Sequence, residues 1–313
     1  MRVLVTGGAG FIGSHFVDRL VLLGHEALVV DDLSTGSTGN LPPEARLEML
    51  DLRETGRLTA LYHSFDPEAV FHFAAQVSVG RSIADPLLDA ELNVLASLRV
   101  MELARANRAY LAFASSGGAI YGEATEGPQG EDYPQQPLNP YGAAKLAVDA
   151  YLGAYRHQYG LDTCSLRFSN VYGPRQRQGG EAAVVPCFCE AALRGEPLRI
   201  FGTGEQTRDF VFVGDLADLV PLLLANRPVG VLNLGTGRET TILELARQVQ
   251  TVAGVPPTRV HEAPRPGEQR RSVLDPARAE ERLGWRPHTC LQEGLAITLA
   301  WSRTVFRNMQ LGV

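Results

Sequence analysis

The sequence predicts an α/β fold built on a doubly wound parallel sheet, and three observations carry that prediction. Short apolar runs alternate with helical stripes through the first half of the 313-residue chain. A glycine-rich turn joins the first of these strands to the first helix, and the second strand ends in two carboxylates, Asp31 and Asp32. With 45% hydrophobic and 20% charged residues the chain can bury a substantial core. A net charge of −6 leaves no global basic field, so neither nucleic acid nor an anionic membrane is an expected partner. Any anionic ligand falls to local arginines, lysines and backbone amides.

The first strand, Val3-Leu4-Val5, is wholly apolar, and the stretch Phe11 to Leu23 sets Phe11, Ile12, Phe16, Leu20 and Leu23 on one helical stripe. Between them, Gly7, Gly10 and Gly13 permit a tight turn that presents backbone N–H groups to an anion at the helix N-terminus. In this strand-turn-helix context the triplet fits the pyrophosphate of a dinucleotide. A second strand, Ala27 to Val30, leads to Asp31 and Asp32. A carboxylate there accepts hydrogen bonds from the adenosine ribose and repels a 2′-phosphate, so the expected cofactor is NAD rather than NADP.

The alternation continues. Leu47 to Leu50 is a strand, with Asp51 and Leu52 set to reach the adenine. Ala69 to Phe73 is another, leading into Ala74-Ala75-Gln76, small residues over which a cofactor can cross the strand end. His72, inside that apolar strand, reads as a satisfied core histidine. A helix from about Leu87 to Asn107 and a strand from Tyr110 to Ala114 follow.

Asn139 is a good N-cap and Pro140 suits the first helical position, which places Tyr141 in a first turn and Lys145 on the same face. A phenol with a pKa of about 10 is a poor base at neutral pH, but an adjacent ammonium and a cationic cofactor ring favour the phenolate. Tyr141 is therefore the expected general base.

Further on, strands are predicted at Asp162–Phe168, Phe210–Val213 and Val231–Leu234, and helices at Ile242–Val252 with Thr240 or Thr241 as cap, Pro276–Leu283 and Leu291–Phe306. The division expected is a dinucleotide-binding domain over 1–170, with a return segment near 210–236, and an interleaved smaller α/β domain over 171–313. The four cysteines are scattered, and Cys187-x-Cys189 lacks a second ligand pair, so free buried thiols and no metal site are expected. The short apolar run at the N-terminus fits no signal peptide, and no stretch approaches about 20 apolar residues. A cytoplasmic location is the expectation.

Taken with the motifs above, the Ser115-Ser116 pair, Arg167-Phe168-Ser169-Asn170-Val171-Tyr172-Gly173-Pro174-Arg175, Arg208-Asp209-Phe210 and Arg265-Pro266-Gly267-Glu268 make the chain resemble the extended short-chain dehydrogenase/reductase family. Within it, the nucleotide-sugar 4-epimerases are the most similar. The resemblance covers nearly the whole chain and implies a Rossmann-type cofactor domain with a nucleotide-sugar-binding C-terminal domain. It implies an NAD-dependent interconversion of UDP-glucose and UDP-galactose through a 4-keto sugar, with Tyr141 as base and Lys145 lowering its pKa. It adds cofactor contacts at Phe11, Ile12, Phe73, Ala74, Ala75, Asn93 and Ser115. It implies substrate contacts at Gln76, Ser116, Asn170, Ala183, Val184, Arg208, Arg265 and Glu268. Helices near Leu87–Asn107 and Pro140–Gln158 correspond to those that form homodimers in the family.

The sequence departs from the family pattern at Gly117, aligned on Tyr121, where many relatives carry a third hydroxyl. Ser116 is then the expected catalytic hydroxyl, and Gly117-Gly118 is expected to leave room and backbone amides beside the sugar. A 4,6-dehydratase is disfavoured because its acid pair would fall on these glycines. Arg177 stands where glucuronate-specific relatives place an arginine, which keeps a UDP-glucuronate 4-epimerase or decarboxylase open. Small Ser272 permits an N-acetylated sugar. An inactive NAD-sensing regulator would lack the Tyr141–Lys145 pair, and both residues are present.

Overall fold

A computed structural model of the chain describes residues 1–177, 183–265 and 267–311, with side chains to Arg307. Six strands build most of one sheet: β1 (Arg2–Thr6), β2 (Glu26–Asp31), β3 (Arg46–Met49), β4 (Ala69–His72), β5 (Tyr110–Ser116) and β6 (Thr163–Phe168). The strand Gly230–Leu234 returns to complete it. All neighbours pair in parallel, in the order Gly230–Leu234, β6, β5, β4, β1, β2, β3. The order reverses between β1 and β4, which opens a crevice at their carboxyl ends, where ligands of such sheets bind.

Buried on both faces, the strands divide their apolar residues by the two-residue period. Val3, Val5, Val29, Phe71 and Ala112 join one core, together with Phe16 and Leu20 of helix α1 (Phe11–Leu22). Leu4, Leu28, Val30, Val70, Leu111 and Phe113 join the other. That second core is shared by α2 (Thr55–Phe65), α5 (Ala96–Asn107) and α7 (Pro140–Tyr159). A third core gathers Tyr172, Phe210 and Phe212 with helices α8 (Val184–Arg194), Ile242–Ala253 and Leu291–Leu311. Among the described residues no helix is long and apolar enough to cross a membrane.

Several expectations are corrected. The helix expected over 87–107 is preceded by α3 (Val79–Ala84) and is itself composite: α4 (Pro86–Ala90), a π-helical turn at Glu91–Leu95, then α5. The strand Phe210–Phe212 pairs with Asn170–Tyr172 outside the main sheet, and Val213 opens a helix instead of ending the strand. The helices Val213–Ala217 and Leu219–Asn226 were not legible, because the second is apolar on nearly all sides and carries no stripe. Of the four free cysteines only Cys164 and Cys189 are buried; Cys187 and Cys290 are exposed. His72 is a satisfied core residue as expected, hydrogen-bonded to Thr6 Oγ1 at 2.5 Å and Ser97 Oγ at 2.9 Å.

Under α7 lies a buried guanidinium. Arg167 donates from Nε to Asp149 Oδ2 at 2.8 Å and from Nη1 to the Tyr121 hydroxyl at 2.8 Å. Tyr121 in turn donates to Asn233 Oδ1 at 2.8 Å, and the Asn233 amide meets Glu131 Oε1 at 2.8 Å. A short helix, α6 (Gly117–Ile120), follows β5, and its first residue is where the sequence departs from the family pattern. Gly117 does not leave space beside a ligand, because a Cβ there would lie 2.6 Å from both methyl carbons of Leu274. Gly118 is more open, with a Cβ falling 3.5 Å from Ser272 Oγ.

Two outcomes are expected. Arg167→Met strands the Asp149 carboxylate in the core and lowers stability in urea unfolding by about 3–5 kcal/mol, whereas Arg167→Met with Asp149→Leu recovers most of that loss. Gly117→Ser, which restores the missing hydroxyl, forces Leu274 aside and costs about 1–3 kcal/mol. Combined with Leu274→Ala, it destabilises by less than the two single effects together, read as thermal midpoints.

Candidate active site

The turn after β1 is built for close approach. Gly7 adopts φ +68° and a Cβ on it would lie 2.4 Å from the amide nitrogen of Ala74, so only glycine lets this turn lie against the end of β4. Helix α1 is preceded by Gly10 at its N-cap, with no side-chain cap and no acidic residue in its first turn, leaving its N–H groups and positive dipole end for an anion. Phe11 and Ile12 open that helix, and Phe73, Ala74 and Ala75 line the facing strand end. The residues present therefore fit a dinucleotide pyrophosphate.

Asp31 ends β2 buried, its Oδ2 accepting from the Ala9 amide and its Oδ1 from the Leu33 amide, both at 2.9 Å. Burial raises its pKa, and these two amides partly offset that rise. Asp32 is exposed and turned back on the Ser34 amide and hydroxyl. Asp51 is held by Arg53, through its amide at 2.8 Å and its guanidinium at 2.7 Å, and these bonds lower its pKa. Leu52 is buried beside it.

The Asn139 side chain caps α7, accepting from the Gly142 amide at 2.9 Å, with Pro140 in the first turn as the sequence predicts. The Tyr141 amide bonds Ser82 Oγ of α3 at 3.2 Å. Lys145, one turn on and buried, donates to the Ala114 carbonyl of β5 at 2.8 Å and stands 5.8 Å from the Tyr141 ring centroid. Ser116, at the end of β5, caps α6 by accepting from the Ala119 amide at 3.3 Å and lies beside the Tyr141 phenol, so base, ammonium and hydroxyl converge at the carboxyl edge of the sheet.

Burial shapes the electrostatics of the pair. Burial, with the nearby charge of Asp89, pushes Tyr141 up to about 12, and the Ser116 hydroxyl beside it offsets only part of this. Burial also pulls Lys145 down to about 8, against the charges of Asp149 and Asp89. Desolvation is the largest influence on both members of the pair.

Other expected ligand residues are engaged within the protein. Gln76 donates from its side chain to Ser78 O at 2.8 Å and Asp89 Oδ1 at 2.9 Å. Asn93, buried in the π turn, donates to Gln76 O and Asp89 Oδ1, each at 2.9 Å. Ser115 is buried at the end of β5, near Asp149. Arg208 and Glu268 approach each other at 3.5 Å, and Arg265 lies exposed over the Phe201 ring at 4.1 Å. Asn170 is half-buried, its amide bonded to Asp209 O at 2.9 Å. Ala183 is buried at the start of α8, where Val184 is partly covered. Arg177 is exposed just before residues 178–182, which lie outside the described residues, as does Pro266.

Sequence reasoning missed two buried acids. Asp209 accepts from Thr236 Oγ1 at 2.6 Å and from the Thr236 amide at 2.9 Å, fixing the turn after the last sheet strand. Asp89 gathers Gln76 and Asn93; its only signal was an acid and an amide four residues apart on one helix face.

The family model described as "NAD dependent epimerase/dehydratase family" matches residues 3–235. A UDP-glucose 4-epimerase of Mycolicibacterium smegmatis is 44% identical over 311 residues, covering 97% of this chain and 99% of its own. The crystal structure of a Thermotoga maritima UDP-glucose 4-epimerase with UDP-glucose superposes with a TM-score of 0.95 at 41% identity, covering 98% of this chain and 100% of its own. That of a Thermus thermophilus UDP-glucose 4-epimerase complexed with NAD gives 0.92 at 44% identity, covering 97% and 99%. With a glycine cradle for a dinucleotide, a Tyr-Lys pair at its edge and relatives of this identity along nearly its whole length, the chain belongs to the NAD-dependent epimerase/dehydratase family.

Proposed function

We propose that this protein is a UDP-hexose 4-epimerase that interconverts UDP-glucose and UDP-galactose, with residues 1–170 and the returning strand holding NAD and the remainder holding the nucleotide sugar. The convergence of Tyr141, Lys145 and Ser116 at the sheet edge next to the Gly7 turn carries this reading. NAD, when bound, supplies the acceptor and donor of hydride at the fourth sugar carbon and a positive ring that favours the phenolate. Tyr141 takes the proton of the 4-hydroxyl and returns it after the 4-keto sugar has turned over its other face. Ser116 bonds the phenol and orients that proton. Lys145, fixed by the Ala114 carbonyl, offers its remaining donors to the cofactor ribose.

Arg208 and Arg265 would take the diphosphate, and Glu268, now against Arg208, would exchange that contact for a ribose hydroxyl. Exposed Leu87, Leu95 and Tyr151 on the 86–107 and 140–159 segments support a homodimer through these helices, and the four free thiols support a cytoplasmic setting.

The test is to incubate the purified protein separately with UDP-galactose and UDP-glucuronate, without added NAD, and resolve products by proton NMR. Conversion of UDP-galactose to UDP-glucose is expected; conversion of UDP-glucuronate alone would transfer the specificity to Arg177 and overturn the hexose assignment. Tyr141→Phe is expected to lower the rate at least about 100-fold while the amount of co-purified NAD stays unchanged. An undiminished rate would remove Tyr141 from the mechanism.

A further inference from the structure

Residues 268–274 form a strip that connects Glu268, assigned above to the nucleotide, with the segment that follows β5. At the far end of the strip Leu274 is buried against Gly117, where a Cβ would lie 2.6 Å from its methyl carbons, and the Gln129 amide donates to Val273 O at 2.9 Å. Ser272, also buried, stands opposite Gly118. At the near end Glu268 approaches Arg208 at 3.5 Å. The strip is bound there to the strand Thr207–Arg208: the Thr207 amide donates to Arg270 O at 2.9 Å, and Glu239 accepts from Thr207 Oγ1 at 2.8 Å and from Arg271 Nε at 2.9 Å. The nucleotide end is therefore held together by its own bonds.

Between these anchors the strip is fastened to the catalytic side through one turn. Gly122 takes φ +69°, where a Cβ would overlap the Gln136 carbonyl, and its own carbonyl accepts from Gln269 Nε2. The next residue, Glu123, spans the gap with its side chain. Its Oε2 accepts from the Arg270 amide at 2.9 Å and its Oε1 from the Arg271 amide at 2.8 Å. The Ala124 amide adds a bond to Arg271 O at 3.3 Å. Two consecutive N–H groups on one carboxylate make a pair of charge-assisted bonds, and the carboxylate cannot turn without breaking one of them. The turn that carries Glu123 directly follows α6, capped by Ser116, and Tyr121, bonded to Arg167.

We propose that Glu123 is a positioning residue that sets the nucleotide-holding strip at a fixed distance from the catalytic segment, so that a sugar tethered to its nucleotide arrives in register with Tyr141 and Ser116. The inference rests on the reading of Arg208, Arg265 and Glu268 as contacts of a nucleoside diphosphate. A nucleotide sugar is gripped far from the carbon that reacts, and remote binding aids the reaction only through a rigid frame between grip and chemistry. Loosening that frame leaves the grip intact and spoils the alignment.

The variant that tests this is Glu123→Gln. A carboxamide offers one acceptor and one donor where two N–H groups need acceptors, so one bond is lost. The kcat for UDP-galactose is expected to fall about 10–100-fold. The dissociation constant of UDP alone, measured by calorimetry, is expected to stay within about twofold, and the thermal midpoint within about 3 °C, of the unaltered protein. Gln269→Leu cuts the neighbouring tie and leaves the carboxylate in place; the same split between turnover and UDP binding is expected, with a smaller loss. An undiminished kcat in both variants, or a UDP affinity that falls as far as kcat, would make Glu123 a simple brace of its loop and overturn the proposal. An unaltered protein that neither binds UDP nor converts any UDP-hexose would overturn the proposed function, and this inference with it.

Discussion

The guanidinium of Arg167 is the constraint on which the arrangement of the site depends. It is buried where a charge is tolerable only if every proton finds an acceptor, and its two answering groups come from different parts of the chain. Asp149 sits on α7 two turns beyond Tyr141, so the salt bridge fixes the rotation of the helix that presents the base. Tyr121 lies just past the strand that presents Ser116, and through Asn233 the same network reaches the last strand of the sheet. Base and hydroxyl are thereby referred to one buried charge.

The cofactor end is organised by sterics instead. Gly7 and Ala74 meet so closely that the turn after β1 and the end of β4 form one surface at the switch point of the sheet. His15 of α1 bonds Pro174 O at 3.0 Å and Asp18 pairs with Arg175 at 2.7 Å, tying the dinucleotide helix to the loop that leads toward the sugar end. A ligand at either end thus adjoins the same helix.

The sequence made the sheet legible because its strands are apolar runs punctuated by glycine and carboxylate, and because Asn139-Pro140 announces the start of α7 without ambiguity. Tyr141, Lys145 and Gly7 were readable for the same reason: each belongs to a local pattern whose spacing has one geometric meaning. Asp89, Asp209 and Arg167 were not readable as hubs, since their partners lie far away in sequence and a lone acid or base on an amphipathic segment resembles a solvated one. The substituted Gly117 was visible, but its reason was not. Only the fold brings Leu274 from the far end of the chain into the space a side chain would need.

The π turn at Glu91–Leu95 makes length itself a specified quantity in this part of the chain. One residue more than an α-helix requires is lodged between Pro86 and Asn107, and that surplus swings Asn93 inward while α5 beyond it keeps its own inward face. Losing a single codon here would let the helix relax to regular winding and rotate everything upstream relative to everything downstream by about a quarter turn. Substitutions on the outer face of this segment are then a matter of chemistry, but insertions and deletions are a matter of phase. A lineage carrying this chain can vary the letters of 86–107 far more freely than it can vary their number.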